Sequence, residues 1–263
     1  MIVELIGSAG AGKTTLRRLL CDRGIRGHDV VAMPDLVLDR ALFRRITHPT
    51  AINFVQELRG LPFFLGAFPR EREFIAFARS MLWRHRSTFE RLNGLRGIVR
   101  KVGMYHLAGA RAEGTIVLSD EGTILSAYNL LVGGHPRVGE TELADFARLV
   151  PLPDVVVHVR APVETLVERA TSRPDPRRQH VGKDAAAVEA DIRCTVELFD
   201  ALVTMPRFRG RVTTIESSNL GHDGRSQLAD ELAERLRICF LLGPQAARPE
   251  ASPPLEGAGR EKV

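Results

Sequence analysis

The chain opens MIVELIGSAGAGKTTLRRLL, and residues 7–14 of it read GSAGAGKT. Five mostly aliphatic residues, 2–6, precede that stretch, and a helical run, TTLRRLLCDRG, follows it. Glycines in such a place can form a plain strand-to-helix turn, or a turn shaped around a phosphate chain. Gly7, Gly12, Lys13 and Thr14 satisfy the pattern G-x-x-x-x-G-K-[ST], in the strand–loop–helix setting that gives the pattern its meaning. Glycines let a backbone approach phosphate oxygens, and consecutive N–H groups at a helix start form an anion nest. Gly7, Ser8, Ala9, Gly10, Ala11, Gly12, Lys13, Thr14 and Thr15 are therefore the candidate phosphate cradle. Lys13 is placed to reach the β and γ phosphates, and the Thr14 hydroxyl to help hold Mg²⁺. The expected ligand is ATP or GTP.

Working outward, four more apolar runs read as short buried strands: DVVAMP (29–34), TIVLSDE (115–121), DVVVHV (154–159) and RVTTIE (211–216). Helical patterns alternate with them, as in VETLVERATSR after the fourth strand and SQLADELAERLRICFLL after the fifth. Strands alternating with helices imply an α/β, doubly wound parallel sheet covered on both faces. About 80 residues separate the second and third strands and are helical in character. Within them REREFIAFARSMLWRHRSTFERL reads as one helix with Phe74, Phe77 and Met81 as its core stripe, and LRGIVRKVGMYHLAGARAEG as another. The organisation expected is one domain over 1–243, with a helical insert at about 36–114 and a lid at about 169–182. The Pro-, Ala- and Gly-rich tail 244–263 reads as disordered.

Composition narrows the classes. The chain has 263 residues, 44% of them hydrophobic and 26% charged, which is the profile of a globular protein rather than a disordered one. Met1 runs into IVELI without the segments of a signal peptide, and the longest apolar runs fall far short of a membrane span. The cytoplasm is the expected compartment, with no membrane partner. Cys21, Cys194 and Cys239 are too scattered for a disulfide framework or a zinc site and read as free thiols. The formal charge is +5, but residues 35–111 hold 14 Arg or Lys against 6 Asp or Glu. That excess points to an anionic partner near this segment, or reflects only the chain's preference for arginine, since just four lysines occur.

No N-K-x-D motif of guanine-specific switches and no LSGGQ-like transporter signature is present. Instead TIVLSDEG sets Asp120 and Glu121 at the carboxyl end of a buried strand, the edge where open parallel sheets bind ligands. A carboxylate there can bind Mg²⁺ or take the proton of an acceptor hydroxyl. In VETLVERATSR, Arg169 and Arg173 fall at i and i+4 on one helix face, and Arg177 and Arg178 follow on a Pro-rich loop. Such a cluster suits a lid over a transferring phosphoryl group.

Together these stretches resemble the thymidylate kinase and deoxynucleoside kinase branch of the P-loop kinases. GSAGAGKTT on the first strand, an acid after the second, D-E-G closing the third, PDVVVHVRAPVETLVERATSR and RGRVTTIESS before a last helix carry the likeness over about 1–240. It implies a five-stranded parallel sheet of the P-loop NTPase type, with an ATP loop at one end and an acceptor pocket under the insert. It further implies that Gly12, Lys13 and Thr14 hold phosphates and Mg²⁺, that Asp120 sits near the metal, and that Arg169 and Arg173 belong to a lid. Asp35, after the second strand, stands where these kinases place a carboxylate that contacts the acceptor or acts as base. The chain departs from the branch in carrying Asp120-Glu121 where those kinases have Asp-Arg or Glu-Arg, and in placing Asp35 after its proline, so a different acceptor is open. The insert must then supply specificity, with Arg79, Arg84, Arg86, Tyr105 and His106 as its candidates.

The expected activity is ATP- and Mg²⁺-dependent transfer of the γ-phosphoryl group to a hydroxyl or phosphate of a small, nucleoside-, nucleotide- or sugar-like acceptor. The expected roles are Lys13 and the loop on the phosphates, Thr14 and Asp120 on the metal, Asp35 or Glu121 as base, and Arg169 and Arg173 over the phosphoryl group. Two other readings stay open: a polynucleotide 5′-hydroxyl kinase using the basic insert, and a nucleotide-dependent regulatory ATPase. A nucleic acid ranks behind a small molecule as partner, and a homodimer is left open.

Overall fold

The computed structural model describes residues 1–36, 49–85, 87–132, 139–173, 180–217 and 222–242. The five apolar runs are strands: β1 (Ile2–Ile6), β2 (Asp29–Ala32), β3 (Thr115–Ser119), β4 (Val155–Arg160) and β5 (Val212–Glu216). They form one parallel sheet in the order β2-β3-β1-β4-β5. β1 is central and buried along its whole length, pairing Glu4 with Ser119 of β3 and Ile6 with His158 of β4. The chain order reverses at β1, so its carboxyl end is the switch point where a parallel sheet opens a crevice.

The helices are α1 (Lys13–Arg23), α2 (Pro49–His85), α3 (Thr88–Arg111), α4 (Glu140–Leu149), α5 (Val163–Thr171), α6 (Ala185–Thr204) and α7 (His222–Leu242). Alternation along β1 divides the core between two faces. Val3 and Leu5 pack with Leu16 and Leu20 of α1, Leu166 of α5 and Leu232 of α7. Ile6, on the other side, joins Phe74 and Met81 of α2, Val102 of α3, Phe146 of α4 and Phe199 of α6.

The insert is a hairpin of α2 and α3, and its break point differs from the reading of residues 70–92 as one helix. α2 stops at His85, and Ser87 caps α3: its hydroxyl accepts from Glu90 N, while Ser87 N donates to Glu90 Oε2 at 2.9 Å. The S-x-x-E signal of a capping box was present in STFE, masked by apolar spacing that runs on across the turn. The core stripe holds, with Phe74 and Met81 buried and Phe77 packed against them. Pro62 and Pro69 lie inside α2, each removing one i→i−4 hydrogen bond. α4 and α6 are helices that the sequence reading did not name. Among the described residues no helix is long and apolar enough to cross a membrane, and all three cysteines are free. Residues 244–263, Arg86, Arg177 and Arg178 lie outside the described residues.

Candidate active site

The loop between β1 and α1 is shaped by glycines at three positions. Gly7 has φ +136°, and a Cβ there would fall 2.3 Å from Val159 O on β4; Gly10 has φ +83° and a Cβ would meet Leu166 O at 2.8 Å. Gly12, at φ +88°, starts α1. A side chain at Gly7 or Gly10 would push the loop off β4 or α5, so these two glycines fix how closely it seats. Ser217, just past β5, ties in the far side: its Oγ donates to Ala11 O at 2.8 Å, and its N donates to Arg160 O at 2.7 Å.

Lys13 lies inside this loop, 3% exposed, with Nζ donating to Gly7 O at 2.7 Å and Ser8 O at 2.8 Å. The buried Ser8 Oγ makes no hydrogen bond. Thr14 Oγ1 donates to Asp120 Oδ2 at 2.8 Å, and Arg17 Nε stands 3.4 Å from Asp120 Oδ1. An ammonium bonded to two carbonyls of its own loop, an orphaned hydroxyl and the N–H groups of a helix first turn make a donor set suited to phosphate oxygens. Thr14 and Asp120 together present hard oxygens, as a Mg²⁺ shared with a phosphate chain requires.

A cleft of about 240 Å³ opens in front of the loop. Gly10 to Leu16 form its floor, Arg169 of α5 and Arg173 one wall, and Ser217, Arg225 and Leu228 the other; α5 ends at Thr171, so Arg173 lies beyond the helix rather than one turn along its face from Arg169. Arg169 is a fastener: its two terminal nitrogens donate to Gly10 O at 3.3 Å and Ser217 O at 2.9 Å. Burial, and then the neighbouring Arg225 charge, lower its pKa. Arg173 is exposed at the mouth. Ser217 and Arg225 are the cleft residues that sequence reasoning missed. Nothing in SS or GR marks them as ligand residues; the order of strands places them.

On the other side of Asp120 the same sheet edge carries the remaining carboxylates. β2 and β3 are in register at Ala32 and Leu118, so Asp35, in the turn Met33–Leu36, and Asp120 leave adjacent strand ends. Both charges reach Cys21, whose thiol burial pushes up to about 11. Glu121 is exposed beyond Asp120. The glycine of D-E-G has its own reason: a Cβ on Gly122 would fall 2.3 Å from Glu4 Oε2. Glu4, wholly buried on β1, accepts from Leu125 N at 2.9 Å and Ile124 N at 3.2 Å, pinning the segment after β3; burial raises its pKa. Lys101 of α3 faces Glu4 and Glu121, and burial pushes its ammonium down to about 8 against their pull. His158, 3% exposed near Lys13, is pushed down to about 4 by burial, opposed by Asp200 at 3.7 Å.

The insert's other candidates are not at this edge. Tyr105 Oη donates to Leu152 O at 2.7 Å, and His106 Nε2 is 3.0 Å from Glu71 Oε1. Both line a groove with Met1, Asp154 and Arg211, at the amino ends of β1, β4 and β5. Arg84 pairs with Glu142 at 2.8 Å, and Arg79 is exposed.

No protein-family model matches the sequence, and no curated protein does. Solved structures do match the backbone. Thymidylate kinase from Candida albicans superposes with a TM-score of 0.50 at 10% identity, covering 90% of this chain and 92% of that one. Shikimate kinase from Bacteroides thetaiotaomicron gives 0.44 at 13% identity, covering 90% and 99%. Deoxyadenosine kinase from M. mycoides, solved with bound dCTP, gives 0.43 at 13% identity, covering 89% and 99%. The likeness to thymidylate kinase, with the 2-3-1-4-5 strand order, shows an α/β fold with a five-stranded parallel sheet of the P-loop NTPase type.

Proposed function

We propose that the chain is an ATP- and Mg²⁺-dependent phosphotransferase acting on a small acceptor. The observation that carries this reading is the hydrogen bond of Thr14 to Asp120 at 2.8 Å beside a lysine buried in the glycine loop. It joins a phosphate cradle and a strand-end carboxylate at one crevice. Lys13 exchanges its loop carbonyls for β- and γ-phosphate oxygens, and the first-turn N–H groups of α1 take the others. Thr14 and Asp120 would hold a Mg²⁺, which would supply neutralisation of phosphate charge. Arg169 keeps the loop seated, and Arg173 and Arg225 add positive charge at the mouth. Asp35 or Glu121 accepts the proton of the acceptor hydroxyl; its oxygen then bonds to the γ-phosphorus as the bond to the ADP oxygen breaks.

A small acceptor is favoured over a polynucleotide because several of the insert's described arginines already have partners. Arg84 pairs with Glu142, Arg96 with Glu57, and Arg111 donates to Leu36 O. A polyanion-binding face needs such charges free for phosphates.

The test is incubation with Mg²⁺ and γ-labelled ATP alongside nucleosides, nucleoside monophosphates, sugars, phosphosugars or 5′-hydroxyl oligonucleotides. Label should move into a new species, and Lys13→Ala should lower that transfer at least ~100-fold while leaving thermal unfolding in place. Normal transfer by Lys13→Ala would sink the assignment. Label released only as inorganic phosphate, whatever the acceptor, would make the chain a regulatory ATPase.

A further inference from the structure

α1 carries one charged group that phosphate binding does not use. Arg17 stands one turn after Lys13, its side chain 18% exposed. Its Nε lies 3.4 Å from Asp120 Oδ1, yet it is buried without a hydrogen bond. Among the described residues, neither terminal nitrogen of Arg17 has a hydrogen-bond partner. Orphaned buried donors are rare in folded proteins, and charged ones are costly. A counter-ion built only for Asp120 would close on it as a two-pronged pair. Here Asp120 Oδ2 is taken by Thr14, and the guanidinium fork is left over.

The helix decides which ligand that fork can meet. Thr15, Leu16 and Leu19 line the nucleotide cleft, and Arg17 does not. Each residue turns the helix by about 100°, so Arg17 leaves α1 on another side, against Asp120 at the end of β3. Cys21, one turn further along α1, feels the charges of Arg17, Asp35 and Asp120 together. Arg17 therefore belongs to the acceptor's side of the crevice, with the carboxylates offered as base. The other cation on that side, Lys101 of α3, already faces Glu4 and Glu121. A neutral polyol has no use for a second, unpaired guanidinium. A phosphate or carboxylate does: two of its oxygens match the planar N–H fork, and the bonds are charge-assisted.

We propose that Arg17 is a specificity-determining residue, holding an oxyanion of the acceptor through its terminal nitrogens; this rests on the phosphotransferase reading above. With γ-labelled ATP, the chain should label the charged member of a matched pair: a nucleoside monophosphate against its nucleoside, a phosphosugar against its sugar, or a hydroxy acid against its polyol. The pair that reacts tells phosphate from carboxylate. For that acceptor Arg17→Gln should raise KM at least ~20-fold, the worth of charge-assisted hydrogen bonds, without changing KM for ATP. Arg17→Lys, which keeps the charge and loses the fork, should fall between, and Arg18→Gln, at the exposed next position, should change neither KM. A second measurement needs no transfer. With the loop filled by a non-hydrolysable ATP analogue, inorganic phosphate should raise the melting temperature of the wild type but not of Arg17→Gln. Should Arg17→Gln fail to fold, Arg17→Lys carries both measurements. Preferred labelling of the neutral members, or an acceptor KM or phosphate shift unmoved at Arg17, overturns this inference and leaves the phosphotransferase standing. Label released only as inorganic phosphate removes the phosphotransferase reading, and this inference with it.

Discussion

The two sides of the crevice are built by different means. On the phosphate side, backbone meets backbone: Gly7 lies against Val159 O, Gly10 against Leu166 O, and Ser217 N donates to Arg160 O. On the insert side, helices are held by apolar packing and by pairs of flexible side chains such as Arg84–Glu142 and Arg96–Glu57. Backbone contacts leave no room for a different residue. Exposed ion pairs can be exchanged at small cost, which lets one half of a site vary while the other is fixed.

The largest test of that contrast is Gly7→Ala. With φ at +136° and a Cβ 2.3 Å from a carbonyl oxygen, it should cost ~3 kcal/mol or more and abolish nucleotide binding. Unchanged denaturant unfolding would remove the distinction between the two sides. Next comes Asp120→Asn, which keeps an acceptor for Thr14 but loses the charge. Transfer should fall about 100-fold and need more Mg²⁺, with little change in melting temperature.

His158 sharpens the comparison by pH. Its folded pKa of about 4 lies below the 6.5 of the unfolded chain, so between these values the unfolded state binds the extra proton. Stability should therefore fall as pH drops from 6.5 to 4, with a slope of at most ~1.4 kcal/mol per pH unit from this group. His158→Gln should remove that share of the slope in melts across the range; an unaltered slope would contradict it. The smallest effect belongs to the insert, where Arg84→Ala should change unfolding free energy by no more than ~0.5 kcal/mol. A loss several times larger would show that the insert is as tightly determined as the loop.

Much of the fold was legible because its signals are local. Each apolar run became a strand within a residue or two, and GSAGAGKT became the loop. TIVLSDEG located Asp120 beside Thr14, a contact spanning 106 positions, because both lie at ends of buried parallel strands. What escaped was non-local or ambiguous. Ser217 and Arg225 enter the cleft through strand order, which no local pattern states. The capping box at Ser87 was hidden by apolar residues on both sides of the turn. Tyr105 and His106 were named from residue type, yet helix direction carries them to the opposite edge of the sheet. Glu4 stood in plain view on β1, but a single carboxylate in a strand does not reveal that it pins the backbone after β3.

The Ser217–Ala11 hydrogen bond bridges 206 positions, and β1 pairs only with β3 and β4, both more than a hundred residues downstream. On the ribosome, then, β1 emerges well before either strand it pairs with. Loop closures of that length are slow, and domains rich in them fold late. A nascent chain should seat its glycine loop only once Ser217 has left the exit tunnel. A chain that stops short of Ser217 carries the glycine loop without the residue that fastens its far side.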